Sequence, residues 1–422
     1  MSNVGAVATL ADIVYGGLLA GAKVRRGWRV KAAEALAARD GDVPAVEGEC
    51  VLIHAVSVGE AAATAELVRR LRVARPGVSV VVSTTTATGY AHVRRLFADT
   101  DGVSCVRFPL DLSRCVRRFL DRLRPAAVML MELEVWPNFV AVCAQRGIPV
   151  LVGNGRMTTK SFSRYRWLGP VARRMFGKLE RVLAQEPVYA ERFRAVGCRD
   201  VEVVGSMKFD TARTEVPDGV EALRAAVGLG VGPTWVCGST GPGEEVLVLE
   251  AYRRLLEERA GLRLVIVPRH PQRFDEVAEV IAETGFGCVR RSDPGLRSAQ
   301  PSASDVVLGD SMGELRKWYA LADVVFVGRS LVDLGVSQRG SDMIEPAALG
   351  KPVIVGRWTQ NFAGAMAAFR AADAVREVDA AGLAAAVGEM LDDADRGMRA
   401  RRVVLEQRGA TDRHVEALLA HL

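Results

Sequence analysis

Glu60 stands in the stretch VLIHAVSVGEAAATAELVRRLR at 51–72, where an apolar run ends in Ser57, Val58, Gly59 and Glu60 and passes straight into helical periodicity. That pattern predicts a strand, a tight loop and a helix. Ligands of a parallel α/β sheet gather beyond the carboxyl ends of its strands, and this junction offers a glycine for close backbone approach beside a carboxylate. Glu60 is therefore a candidate reactive group. A glutamate in a first helical turn also offsets the positive end of the helix dipole, by roughly 0.3–1 kcal/mol, and simple capping is the competing explanation. His54, inside the apolar run, reads as a hydrogen-bonded core histidine rather than a ligand.

Further constellations follow. In AVMLMELEVWPN at 127–138, Glu132 and Glu134 close an apolar strand. Side chains at i and i+2 of a strand share a face, so both carboxylates could enter one space, where repulsion favours protonation of one or capture of cations and hydroxyls. A solvated strand end is the alternative. NGRMTTKSFSRY at 154–165 gathers Arg156, Lys160 and Arg164 with several hydroxyls, a mixture suited to phosphate or carboxylate, or simply to a basic solvated loop.

Three junctions recur in the second half. GSTGPGEE at 238–245 combines Ser239 or Thr240 as a helix cap with a proline and acids in the first turn, and its free amides could hold an anion. It lacks the Gly-Lys-Ser/Thr ending of a Walker loop. VPRHP at 267–271 puts Arg269 and His270 at another strand end, and Ser311, Met312, Gly313 and Glu314 form a third junction, with amides for a phosphate or a base edge. Each is weak alone. Three on one side of one domain would line a single nucleotide pocket. Glu345, at the start of EPAALGKP, could accept both hydroxyls of a ribose, or merely cap its helix.

The elements that must position these groups alternate. Apolar β-rich runs at 78–84, 106–110, 127–131, 149–152 and 181–184 are interleaved with helical patterns at 89–97, 114–123 and 139–144. After a glycine- and proline-containing linker at 211–233 the order restarts, with strands at 235–238, 264–268, 287–290, 306–308, 324–327 and 352–355 and helices at 244–258 and 314–322. The segment 292–304 reads as an exposed loop, and a helical tail runs from about residue 380. Such βαβ order predicts parallel sheets covered by helices on both faces. The expected architecture is α/β, two Rossmann-like domains facing across a cleft. Its divisions are an N-terminal membrane-associated segment at 1–35, domains at 36–212 and 213–390, and a helical tail at 391–422.

The length of 422 residues exceeds what one hydrophobic core usually organises, which also argues for two domains. A net charge of +6 suits anionic small substrates or an anionic membrane surface, and no aromatic-rich basic cluster argues for nucleic acid. Seven dispersed cysteines and five histidines form no paired ligand spacing, so neither a disulfide framework nor a protein-held metal is expected, and a reducing compartment is the natural setting. Residues 6–22 are apolar except for Thr9 and Asp12, and a basic segment follows at once. This reads as an interfacial anchor whose trailing charges would hold the next domain on the cytoplasmic side; a buried terminal helix is the alternative.

Nine segments in order, IHAVSVGE, ELEVWPN, NGRMTTKSFSRY, GSMKFD, GST-GPGEE, VPRHPQRF, LGDSMGEL, EPAALGKPVIVG and TQNF, make the chain resemble the bacterial 3-deoxy-D-manno-octulosonic acid (Kdo) transferases. These are glycosyltransferases of the two-Rossmann-domain B type. The resemblance implies CMP-Kdo as donor, held by the second domain, and a lipid A precursor as acceptor, reached by the first domain at the cytoplasmic face of the inner membrane. It implies inverting transfer without metal or cofactor. Glu60 would be the general base, and Glu132, Glu134 and Arg156 would serve the acceptor. Ser239, Thr240, Arg269, His270, Ser311, Met312, Gly313 and Glu314 would surround CMP, with Glu345 on the ribose and Lys208 and Asn361 on the donor's acidic groups.

Two departures stand out. The family usually has a histidine where Gly241 stands. It also usually has Gly-Gly-His-Asn before its Glu-Pro pair, where this chain reads GVSQRGSDMIEP with Ser341 and Asp342. The added negative charge at Asp342 is one that Arg339 could balance. A B-type transferase using another nucleotide sugar, or a non-catalytic glycolipid-binding protein at the membrane surface, are the alternative functions.

Overall fold

The structure is a computed structural model; the described residues are 39–55, 58–293, 302, 304–335 and 338–422, with backbone alone described at 58–62 and 394. The apolar stretch 6–22 and its basic flank lie outside them. The chain divides into two compact units, Met1–Thr211 with Arg408–Leu422, and Ala212–Gln407.

In the first unit β1 (Cys50–His54), β2 (Ser79–Thr84), β3 (Val103–Arg107), β4 (Ala127–Met131), β5 (Val150–Gly155), β6 (Arg181–Ala184) and β7 (Val201–Val203) form one sheet. Its order is β3-β2-β1-β4-β5-β6-β7, parallel throughout. Every residue of β1 and β4 is buried, as a sheet covered on both faces requires. Strand alternation divides them: Leu52, Val128 and Leu130 join one core cluster with Phe119, Phe139 and Phe193, while Ile53, Ala127 and Met129 join another with Leu67, Val93 and Leu418. Since β1 pairs with β2 on one side and β4 on the other, the strand order reverses between β1 and β4. That reversal opens a crevice beyond their carboxyl ends.

The closing helical segment does not act as one tail. Helix Ala394–Glu406 belongs to the second unit, whereas Ala410–Leu419 packs on helix Val58–Ala74 of the first. Asp210 anchors the returning chain by accepting from the amides of Gly409 and Thr411, both at 2.7 Å. The buried His414 Nε2 accepts from the Asn154 amide at 2.7 Å while its Nδ1 donates to the Ala410 carbonyl.

Among the described residues the second unit also has seven parallel strands but in a different order. Strands β8 (Thr234–Thr240), β9 (Arg263–Pro268), β10 (Cys288–Arg290), β11 (Val306–Leu308), β12 (Val324–Val327), β13 (Val353–Val355) and β14 (Val375–Glu377) run as β10-β11-β9-β8-β12-β13-β14, with β11 inserted between β10 and β9. Trp235, Cys237, Ile266, Phe326 and Ile354 form its core with Val248, Tyr252 and Leu255 of helix Glu244–Glu258. Here the order reverses between β8 and β12.

Several boundaries differ from expectation. The strands β7 and β14 escape the apolar-run criterion because each has three residues at a sheet edge, with Glu202 in one and Arg376 and Glu377 in the other. The strand before Glu132 stops at Met131, so alternation does not put Glu132 and Glu134 on one strand face. Ser239 and Thr240 belong to β8 and do not cap the next helix, whose N-cap is Gly243 at φ 82° with no side-chain cap bond. Among the described residues no helix is long and apolar enough to cross a membrane.

Candidate functional site

At the β1/β4 reversal of the first unit the groups are acidic and proton-storing. His54 is fully buried, its ring stacked on Phe108 at 3.7 Å between centroids. Its Nδ1 donates to the Ser83 carbonyl at 3.1 Å, which leaves Nε2 a bare acceptor without a hydrogen-bond partner, 4.0 Å from Glu134 Oε2. Burial pushes the imidazole pKa down to about 3, so the ring is neutral. Glu134 moves the other way: burial raises its pKa, the Trp136 indole at 3.1 Å opposes this, and the charge of Glu132 adds to it. A neutral ring acceptor thus faces a carboxyl that is easily protonated.

Glu132 turns into the left-handed region at φ 54°, an uncommon conformation for a side-chain-bearing residue and one often found at functional sites. Its carbonyl accepts from the Arg156 amide at 3.4 Å. Arg156 lies by the Tyr189 hydroxyl and opposes the burial that raises the phenol's pKa. Lys160 and Arg164 belong to the surface helix Thr159–Trp167, where no residue is buried. Lys208 belongs to the first unit, on the one-turn helix Lys208–Thr211. The backbone of Glu60 enters helix Val58–Ala74 directly beyond β1, while its side chain lies outside the described part.

At the β8/β12 reversal of the second unit the organiser is a residue that sequence reasoning treated as a helix-start acid. Glu244 is fully buried, and its carboxylate accepts from the amides of Gly241 at 2.8 Å, Arg329 at 2.6 Å, Ser330 at 2.8 Å and Leu331 at 2.8 Å. It clamps the loop after β8 to the loop after β12. Burial raises its pKa and the four amides pull against that. Glu245 is equally buried and forms a two-pronged pair with Arg273 at 2.7 and 3.0 Å, which fixes the turn Pro271–Arg273 just after His270.

Around this clamp the expected residues fall at strand ends. Ser239 takes a left-handed φ of 57°, and Thr240 is buried with its hydroxyl unpartnered. Arg269 and His270 are exposed beyond β9, and burial together with the charges of Arg269, Arg329 and Arg273 holds the His270 pKa down. Beyond β11, Glu314 is engaged by Ser311 and Arg291; burial raises its pKa, but these bonds prevail and hold it below the usual range. Gly313 takes φ 82°, and Met312 presents an apolar side chain 74% exposed. Glu345 opens the short helix Ile344–Ala348, and burial with the charge of Asp342 pushes its pKa up to about 7 against Arg316. Asn361 lies in the turn Gln360–Phe362, its amide donating to the Arg339 carbonyl at 3.3 Å.

The departing segment reaches these strand ends. The Ser341 hydroxyl donates to the Ser239 carbonyl at 3.5 Å, and the charges of Glu345, Asp342 and Arg269 all act on buried Tyr319. Arg339 does not balance Asp342. It forms a two-pronged pair with Asp333 at 2.7 and 2.9 Å and stacks over Trp358 at 4.4 Å. Asp342 instead accepts from the Ile344 amide at 2.8 Å. Among the described residues no His, Cys, Asp and Glu cluster suits a metal ion.

Two parallel Rossmann-like sheets with sites at their reversals define the class as a B-type glycosyltransferase fold. The fold superposes on a glycosyltransferase from Rickettsia africae with TM-score 0.61 at 14% identity, covering 89% of this chain and 99% of that one. It also superposes on UDP-GlcNAc 2-epimerase from Neisseria meningitidis with TM-score 0.62 at 14% identity, covering 88% and 100%. A family profile described as 3-deoxy-D-manno-octulosonic-acid transferase (kdotransferase) matches residues 27–211. The chain is 33% identical over 381 residues to 3-deoxy-D-manno-octulosonic acid transferase of Haemophilus influenzae, covering 88% of this chain and 87% of that protein. Against the enzyme of the same name from Bordetella pertussis it is 38% identical over 348 residues, covering 81% and 77%. The chain belongs to the Kdo transferase family and is a glycosyltransferase.

Proposed function

We propose that this enzyme transfers Kdo from CMP-Kdo to a lipid A-type acceptor at a membrane surface, with inversion and with Glu60 as general base. The observation that carries the reading is the opposed chemistry of two equivalent places: carboxyl groups at the β1/β4 reversal, and cations with a ribose-competent Glu345 at the β8/β12 reversal, in a chain of this family. In the reaction the acceptor hydroxyl oxygen attacks the anomeric carbon of Kdo. The bond from that carbon to the CMP phosphate oxygen breaks, CMP leaves with the electron pair, and the hydroxyl proton passes to the Glu60 carboxylate.

On this reading Arg269 and His270 face the phosphate, Ser239, Thr240 and the loop 311–314 surround the nucleotide, and exposed Met312 offers an apolar surface to the cytosine ring. Glu345 takes the ribose hydroxyls, with Lys208 and Asn361 on the donor's acidic groups. Glu132, Glu134 and Arg156 serve the acceptor sugar. A membrane surface is supported by Trp167, 85% exposed, with Leu168 and Val171 also exposed amid Arg164, Arg166, Arg173 and Arg174. Aromatic and cationic side chains together suit an anionic lipid interface.

Incubation with CMP-Kdo and a lipid A precursor yields a heavier glycolipid by mass spectrometry. Glu60→Gln lowers the rate by on the order of 100- to 10,000-fold while CMP still raises the melting temperature. Full activity in that variant removes Glu60 from the mechanism. Stabilisation by UDP or GDP but not CMP favours the reading with another nucleotide sugar.

A further inference from the structure

We infer that Arg329, at the carboxyl end of β12, is a specificity-determining donor contact whose guanidinium binds an anionic oxygen of the nucleotide sugar. This rests on the donor reading of the second unit, but the observations concern Arg329 alone.

The backbone comes first. Arg329 holds φ 59°, a conformation natural to glycine and strained for a long side chain. The main chain is held there from both sides: its amide donates to Glu244 at 2.6 Å and its carbonyl accepts from the Gly340 amide at 2.6 Å. The clamp therefore fixes where the side chain starts. Its path is defined by Gly241, since a methyl group added there would lie 3.0 Å from Arg329 Cγ and 2.5 Å from Leu334 Cδ1. The missing side chain at 241 leaves the space through which Arg329 runs.

The guanidinium has no directly paired carboxylate among the described residues. Arg329 is half-buried, its Nε is buried without a hydrogen-bond partner, and it makes no ion pair with a described residue. Burial and the neighbouring charge of Arg269 together hold its guanidinium below the usual arginine range, and its charge in turn reaches His270. The carboxylate whose field reaches Arg329 is Glu244, already occupied by four amides. Arg339, which might have taken this role, is committed to Asp333. Cations gathered at a sheet reversal without a carboxylate paired to them form a site that an anionic ligand completes, and a planar guanidinium suits the oxygens of a phosphate or carboxylate.

The decisive variant is Arg329→Gly, because glycine relieves φ 59° and the variant is expected to fold at least as well as the parent. Calorimetric titration with CMP, cytidine and CMP-Kdo separates the two anions of the donor. A phosphate contact weakens CMP and CMP-Kdo about 10- to 100-fold and spares cytidine; a sugar-carboxylate contact weakens CMP-Kdo alone by a similar factor. Arg329→Lys recovers part of either loss. Unchanged binding of all three by a folded Arg329→Gly protein overturns the inference and leaves the donor reading intact. If the parent binds no cytidine nucleotide, the donor reading fails; the same pair is then titrated with UDP and GDP, and equal affinities there, or no binding by the parent, overturn the Arg329 contact as well.

Discussion

The ends of β1 and β4 in the first unit gather acids around a buried neutral histidine, whereas the ends of β8 and β12 in the second gather arginines around a buried glutamate. Both sheets are parallel and reverse beside their first strand, so the reversal by itself does not choose the chemistry. Topology supplies a crevice, and the loop residues that fill it decide which charge it accepts. The buried ionisable group also differs in kind. His54 stays neutral and leaves an acceptor free; Glu244 uses its carboxylate on four amides and so holds the loops that carry free cations.

The sharpest way to break this contrast is Glu244→Ala. Four amides lose their acceptor at roughly 1 kcal/mol each, so the second unit is expected to lose about 4 kcal/mol in urea unfolding followed through Trp235 and Trp318. The first unit should be untouched. A loss below about 1 kcal/mol shows that the clamp is not what holds the strand-end loops.

The units are also expected to respond oppositely to pH. His54 at about 3 and His414 at about 4 lie below the ordinary histidine value. Their contribution is complete above about pH 6.5 and is lost on acidification, as the unfolded chain takes up protons that the folded unit refuses. The two histidines together lose about 2 kcal/mol between roughly pH 6.5 and 5.5, and the raised carboxyl of Glu134 offsets part of that loss. Glu345, at about 7, has the opposite sign: its contribution is complete below about pH 4.5 and is lost as pH rises through 7. Over the same acidification Glu345 contributes a gain of about 1 kcal/mol to the second unit, opposed in part by the lowered His270, and Glu345→Gln removes that gain. Calorimetric melting that moves in one direction for both units refutes the contrast.

The smallest effect concerns the surface. Trp167→Ser is expected to reduce co-sedimentation with anionic vesicles a few-fold, leaving CMP binding unaltered. No change in sedimentation removes the helix Thr159–Trp167 from membrane contact.

Sequence periodicity locates most strands. β4, β6, β11 and β12 have the bounds that their apolar runs predict, as does helix Glu244–Glu258, because a strand buried on both faces is a local run of branched side chains. Candidate groups were legible wherever a polar cluster interrupts such a run, as at Arg269 and Glu345. Arg329 was not, since a single arginine after VVFVG gives no local sign that its backbone is left-handed or its charge unpaired.

By itself the sequence determined the alternation of strands and helices, hence two parallel sheets, and the types of side chain at their carboxyl ends. Only the tertiary structure decided which charges remain free. Glu244 meets the amide of Arg329 across 85 positions, and Arg291 meets Glu314 across 23. Secondary structure follows from neighbours a few residues apart. Burial and pairing follow from neighbours in space, and these set whether a carboxylate or guanidinium is occupied or available to a ligand.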